Sequence, residues 1–355
     1  MTQPLTLSLR YVKLATMFKP EYRITPYLLN LIDEASYLRS WIDHTPLRVS
    51  WLPVLQKEAR AQIAHSSTYI EGNPLTLHQV KAIDRGEKIA AYNQHEKEVS
   101  NYLKAMRWIS SNKEKPINEE SLLQLHKIIT DGLIVETKQG RYKEKQNYVM
   151  DEKGIKCYTP PSPRETPSLV RELLDWLNSP ETQQLHTVLT SAIFHHRLVS
   201  IHPFSDGNGR LARAICTFIL YKRDFDLHNI FSLDAYFADD LRRYYQKIIQ
   251  ARELDDNLTY WIEYVAEGVK QTLKDTRQRI EDLQVTANYQ IQLSPRQEEA
   301  LRILRDTHFV RASEFPKTLK VTRARLNQIL TPLIKGGLVK KEGASRATIY
   351  KLHIH

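Results

Sequence analysis

Cysteine is nearly missing from this chain: two residues, Cys157 and Cys216, in 355. Two thiols build neither a disulfide framework nor a metal cluster, and they suit a reducing cytoplasm. Glycine is scarce too, 11 residues and spread out, which excludes collagen-like and linker-rich architectures. No apolar run nears the roughly 20 residues that cross a bilayer. The stretch from Met1 to Pro20 has no charged start followed by a long apolar core, so no secretory signal is expected. A cytoplasmic protein with no membrane partner is the expectation. Material for a core is plentiful. Apolar residues make up 41%, with 5 Trp, 18 Tyr and 9 Phe, and dominant disorder is excluded. The length allows roughly two to three domains.

The net charge is +10 and unevenly placed. Residues 291–355 hold 13 Lys or Arg against 5 Asp or Glu, a net +8. The first 290 residues sum to only +2. A basic tail on a nearly neutral body points to a polyanion partner for the tail and a different task for the body.

Apolar residues recur at three- and four-residue spacing in many windows, so the chain reads as mainly α. Residues 1–94 form an N-terminal helical region. Its last long helix, about Leu52 to Glu71, stops at Gly72-Asn73-Pro74. Residues 95–284 form a second block, with helices near 95–111, 118–131, 167–178, 184–200, 209–223 and 239–252. Between Gly140 and Pro163 the pattern lapses. There Tyr148, Val149, Ile155 and Tyr158 flank Asp151-Glu152-Lys153-Gly154, a short hairpin. A helix from about Leu258 to Leu283 leads to a linker at 285–293. Residues 285–355 read as a winged helix-turn-helix: helices over 295–304, 312–319 and 322–335, then strands at 338–341 and 348–352. In that reading the third helix offers Arg323, Arg325, Asn327 and Gln328 to a DNA groove. A protein-docking role for this tail is the alternative.

The richest stretch is His202-Pro203-Phe204-Ser205-Asp206-Gly207-Asn208-Gly209-Arg210-Leu211-Ala212-Arg213. It lies between two apolar helical patterns, and its glycines break the helix just before a new one starts. A helix start carries unpaired N–H groups and partial positive charge. Flanking glycines let an anion approach the backbone. Together they make a phosphate cradle. Arg210 and Arg213 oppose the helix dipole there unless a polyphosphate sits between them. Asp206 suits Mg²⁺, which proteins hold with one carboxylate plus phosphate oxygens. His202 is the one group near neutral pKa and the obvious general base.

This stretch resembles the Fic-family motif, H-x-F-x-[DE]-G-N-G-R-x-x-R, with every defined position met. The approach segment His195-His196-Arg197-Leu198 and the pair Tyr244-Tyr245 are also similar. The resemblance implies a helical core with a flap, and an activity that moves AMP from ATP to a Ser, Thr or Tyr hydroxyl of a target protein, the chain itself included. It implies that His202 deprotonates the hydroxyl and that Phe204 anchors the loop. Asp206 would hold Mg²⁺. Gly207, Asn208, Gly209, Leu211 and Ala212 would belong to the ATP site, with the Asn208 side chain on the α-phosphate. Arg210 would meet the β-phosphate and Arg213 the γ-phosphate. Tyr244 and Tyr245 would line the adenine pocket. Val149, Ile155 and Tyr158 of the flap would dock the target's backbone. Arg252 stands where some relatives place an adenine-binding Asn.

Ser67 and Glu71 lie four apart on one helix face. An acid in a last helical turn faces the negative end of the dipole and calls for an outside cation. The segment is similar to the Fic inhibitory motif, [ST]-x-x-x-E-[GN], which implies that Glu71 pairs with Arg213 and blocks the γ-phosphate. Some relatives use the same Glu to remove AMP. Other readings remain: a nucleotide-responsive DNA-binding regulator, or transfer of another group. The oligomeric state is open, a homodimer included.

Overall fold

A computed structural model describes residues 18–47, 51–89, 93–150, 154–226, 228–288, 293–307, 309–343 and 348–352. The flap turn at 151–153, the middle of the linker, the tip of the tail hairpin, and His353 and His355 lie outside the described residues. The chain divides into two compact units, Met1–Thr276 and Arg277–His355.

In the first unit the order is α1 (Pro26–His44), α2 (Leu52–Ile70), α3 (Leu77–Asp84), α4 (Asn93–Ser111), α5 (Glu119–Thr130), β1 (Val149–Met150), β2 (Lys156–Tyr158), α6 (Thr166–Asn178), α7 (Pro180–Gln184), α8 (Thr187–Ile201), α9 (Asn208–Lys222), α10 (Leu233–Asp239) and α11 (Leu241–Glu253). The last helix, α12 (Thr259–Asn288), crosses the point of division. The starts are set by side-chain caps: Thr25 for α1, Thr76 with Gln79 for α3, and Asn118 with Ser121 for α5. α2 ends where Gly72 takes φ 89 and its N–H reaches Tyr69 O, a left-handed stop that favours glycine.

α8 and α9 are buried on nearly every side and pack against each other. A helix apolar all round belongs at the centre. α4 and α5 cover α9, α6 covers α8, and α2 lies against α4 and α10. The N-terminal helices and those after residue 95 thus share one core. α1, α3, α7 and α10 add to the helices that sequence periodicity resolves one by one.

The second unit holds α13 (Pro295–Thr307), β3 (Phe309–Arg311), α14 (Phe315–Thr318), α15 (Arg323–Lys335), β4 (Val339–Glu342) and β5 (Ile349–Leu352). Its antiparallel sheet runs β3-β5-β4. Three expectations need correction here. The expected helix over 312–319 is one turn, Phe315–Thr318. A third strand, β3, precedes it and pairs Val310 with Tyr350. The expected linker starts later, because α12 runs on to Asn288. The core of this unit gathers Leu304, Phe315, Leu326, Leu330, Leu333 and Val339. Among the described residues no helix is long and apolar enough to cross a membrane.

Candidate active site

α8 stops at His202, whose φ of 49 puts it in the left-handed region. Non-glycine residues rarely go there, and strain of this kind clusters at working sites. Pro203 follows and cannot continue the helix. Phe204 is 0% exposed, burial worth about 1.5–3 kcal/mol. Its ring stacks on His126 with centroids 3.7 Å apart. The Asn208 side chain closes the loop: Oδ1 accepts from Phe204 N and Nδ2 donates to Phe204 O, both at 2.9 Å. These two bonds leave the amide one N–H and one lone pair beside the loop. Gly207 has φ 77, and a Cβ there would come within 2.9 Å of Thr130.

α9 then begins at Asn208. The Leu211 N–H already bonds Gly207 O at 3.0 Å, and the Leu211 and Ala212 side chains are buried. The amides that an anion can claim are those ahead of Leu211, namely Asn208, Gly209 and Arg210. Leu211 and Ala212 pack their side chains into the core.

His202 Nδ1 donates to Val199 O at 3.3 Å. That contact leaves Nε2 as the basic nitrogen. Burial lowers the His202 pKa to about 4, against the Val199 carbonyl, which raises it, and helped by the charges of Lys143 and Arg252. The backbone around it is pinned from the segment before the flap. Asn147 Nδ2 donates to His202 O at 3.2 Å and Phe204 O at 2.9 Å. Lys143 N donates to Pro203 O at 2.9 Å, and its buried Nζ donates to Asn147 Oδ1 at 2.8 Å. His126 braces the other side. Its Nδ1 accepts from Gly140 N at 2.9 Å, so Nε2 carries the proton and donates to Asp206 O at 3.0 Å. Sequence reasoning missed Lys143, Asn147 and His126. For Lys143 and Asn147 the signal is the irregular stretch after Gly140, which carries polar side chains without a helical or alternating pattern, while His126 sits in α5 with no such mark.

The Asp206 carboxylate is 56% exposed and accepts from Gly207 N at 2.6 Å. One exposed carboxylate beside a helix start suits Mg²⁺ shared with phosphate oxygens. Among the described residues no three potential ligands cluster, so the chain offers no all-protein cage. Arg210 turns away from Arg213. Its Nη1 donates to Glu98 Oε1 at 2.6 Å and its Nη2 to Asp206 at 3.3 Å, while its buried Nε has no partner. An orphaned, charged donor beside the cradle fits a phosphate oxygen. Glu98, held in turn by Asn73 Nδ2 at 2.7 Å, was also missed.

Arg213 is 1% exposed. Its Nη2 donates to Glu71 Oε1 at 2.7 Å and to Ser67 O at 2.8 Å, and its Nε to Ser67 Oγ at 2.8 Å. The Glu71 carboxylate lies over the start of α9: a Cβ on Gly209 would collide with it. The two tyrosines part company. Tyr244 is 1% exposed, with its OH 2.9 Å from His195 Nε2 and 3.4 Å from Arg213 Nη1. It backs Arg213 from inside. Tyr245 is exposed and donates to Ile70 O at 3.2 Å. His195 and His196 are buried packing groups.

In the flap, Val149 pairs with Tyr158 and Met150 with Lys156. Ile155 and Met150 are exposed. Tyr158 fixes the flap to the end of α8 by donating to Ser200 O at 3.0 Å. Arg252 lies over the Tyr158 ring at 3.9 Å and donates to Ser200 Oγ and Val199 O, both at 3.2 Å. It serves the flap and the end of α8.

Residues 116–220 match the Fic/DOC family. A protein adenylyltransferase Fic of Nematostella vectensis is 30% identical over 226 residues, 61% of this chain and 48% of that protein. Its counterpart in Drosophila willistoni is 32% identical over 175 residues, 47% of this chain and 33% of that protein. The chain thus spans half or less of the curated relatives it matches. Among solved structures, a Fic family protein of Desulfovibrio desulfuricans G20 superimposes with a TM-score of 0.66 at 24% identity, over 94% of this chain and 98% of that one. That likeness establishes the fold.

Proposed function

We propose that this chain, whose residues 116–220 form a Fic/DOC-family domain, is a protein adenylyltransferase held off by its own Glu71. His202 Nε2 takes the proton of a Ser, Thr or Tyr hydroxyl on a target protein or on the chain itself. That oxygen bonds the α-phosphorus of ATP, the bond to the bridging oxygen breaks, and pyrophosphate leaves. Asp206 would hold Mg²⁺, which neutralises phosphate charge when bound. The amides of Asn208 to Arg210 and the Arg210 Nε hold phosphate oxygens, and Arg213 meets the γ-phosphate. Such transfer needs positioning and charge neutralisation above all, and the site supplies both. The flap edge at Val149 and Ile155 receives an extended target segment by strand addition.

One observation carries the reading. A carboxylate, Glu71, already sits on Arg213 and over the start of α9, the place a terminal phosphate needs. The Glu71→Gly chain, given labelled ATP and Mg²⁺, should label itself and lysate proteins at least about tenfold faster than wild type, as loss of one charge-assisted contact implies. Equal labelling would overturn the brake. No labelling by either chain would overturn the activity.

The tail supports a second, compatible role in which the second unit binds DNA. α15 turns Leu326, Ile329, Leu330 and Leu333 inward and exposes Arg323, Arg325, Asn327 and Gln328. A basic polar face on a helix beside a short sheet is the footprint of groove binding.

A further inference from the structure

The end of α8 holds both the base and the flap. A helix leaves the carbonyls of its last turn without helical partners, and buried ones must find others. All four can be traced here. Leu198 O accepts from His202 N at 3.0 Å. Val199 O accepts twice, from His202 Nδ1 at 3.3 Å and from Arg252 Nη2 at 3.2 Å. Ser200 O accepts from Tyr158 OH at 3.0 Å, and Ile201 O from Lys143 Nζ at 3.4 Å. Arg252, in the last turn of α11, also donates from Nε to Ser200 Oγ at 3.2 Å and lays its guanidinium over the Tyr158 ring at 3.9 Å. A planar guanidinium can donate along its edge and stack on its face at once.

Arg252 thus touches the carbonyl that sets the His202 ring and the tyrosine that fixes β2. Its charge also suits a helix C-terminus. Among the described residues its bonds run to α8 and its ring contact to the flap, and none runs to residues 206–213 at the phosphate cradle. We propose that Arg252 is a positioning residue: a strut that ties the docking strand and the base to one helix turn, so that a hydroxyl presented on the flap arrives at His202 Nε2. Such registry matters because reacting atoms must meet at about 3–3.5 Å, and a misplacement of about 1 Å can cost about a hundredfold in rate. The identity of the arriving group rests on the adenylyltransferase reading; the mechanical tie between flap and α8 does not.

The test adds Arg252→Met to the Glu71→Gly chain. Methionine keeps much of the length and loses the charge and the donors. The kcat for labelling should fall at least about tenfold, with KM for ATP, and affinity for ATP with Mg²⁺ by titration calorimetry, unchanged. Arg252→Lys keeps the charge but not the planar fork, and should recover part of the rate. A fall in ATP affinity that accounts for the lost rate would place Arg252 on the nucleotide, and an unchanged kcat would show that flap and base need no strut; either overturns the proposal. Hydrogen exchange of the nucleotide-free full chains reads the tie without activity. With Arg252→Met, peptides covering β1, β2 and the end of α8 should all exchange at least about threefold faster while α5 keeps its protection. Tyr158→Leu should loosen the same segments, and the double variant should add little to either single one. Loosening of the flap alone, of α8 alone, or of neither would overturn the tie. If Arg252→Met does not fold, Arg252→Lys and Tyr158→Leu carry both measurements. If the Glu71→Gly chain itself labels nothing, the adenylyltransferase reading fails, and exchange still decides the strut.

Discussion

His202 keeps its ring largely out of water and one nitrogen on the Val199 carbonyl. An imidazole in that setting resists protonation. Its pKa lies at about 4, lowered chiefly by burial, so the base stays neutral across the physiological range. For the Glu71→Gly chain, kcat/KM for ATP should be flat from pH 8 to 5.5, falling by less than about twofold, since this ratio reports the free enzyme. A histidine with the ordinary value near 6.5 would lose about tenfold over that range. Such a loss, measured by initial rates of self-labelling, would show that the site does not desolvate its base. Part of this site can be read along the chain. His202, Asp206 and Arg213 fall within one loop and the helix turn after it, so their chemistry is visible as spacing. Glu98, His126, Lys143 and Asn147 reach the same place from α4, α5 and an irregular segment. A lone His in an apolar helix face carries no sign of what it will meet.

At the scale of elements, the apolar runs of α8 and α9 and the breaks at Pro203 and Gly207 announce a buried helical hairpin. The caps at Asn118 and the stop at Gly72 are equally local. β3 is different. Three residues, Phe309, Val310 and Arg311, are too short to show alternation, and their partners lie about 40 residues on in β5. Gly209 stands at the junction of brake and cradle. A Cβ there meets the Glu71 carboxylate and comes within 3.1 Å of Arg213 Nη1. Two reasons for this glycine compete, room for Glu71 and room for a phosphate. They separate in the Glu71→Gly background, where the first reason is gone. Adding Gly209→Ala there should weaken binding of ATP with Mg²⁺ by about tenfold or more, because close approach of an anion to a helix start needs a bare backbone. Unchanged affinity by titration calorimetry would mean that the glycine serves the brake alone.

Across the whole molecule the charge is divided between a nearly neutral first part and a tail of net +8. Net charge says nothing about fold, but it does say which partners are drawn in. The exposed Arg323 and Arg325 stand at the start of α15, where a groove-reading helix presents its first turn. If the second unit grips DNA, each phosphate it neutralises releases counterions, and log affinity falls with log salt by about 0.9 per contact. The full chain should then bind a mixed-sequence duplex at 50 mM salt and lose at least about a hundredfold in affinity by 200 mM. Arg323→Ala and Arg325→Ala, if they remove phosphate contacts, should each flatten that slope by about one. Binding that ignores salt, or that survives both substitutions with an unchanged slope, would assign this basic face to a protein partner. The slope is the informative quantity, because a positively charged chain sticks weakly to any polyanion, and only a slope that individual residues control locates the contact on one helix.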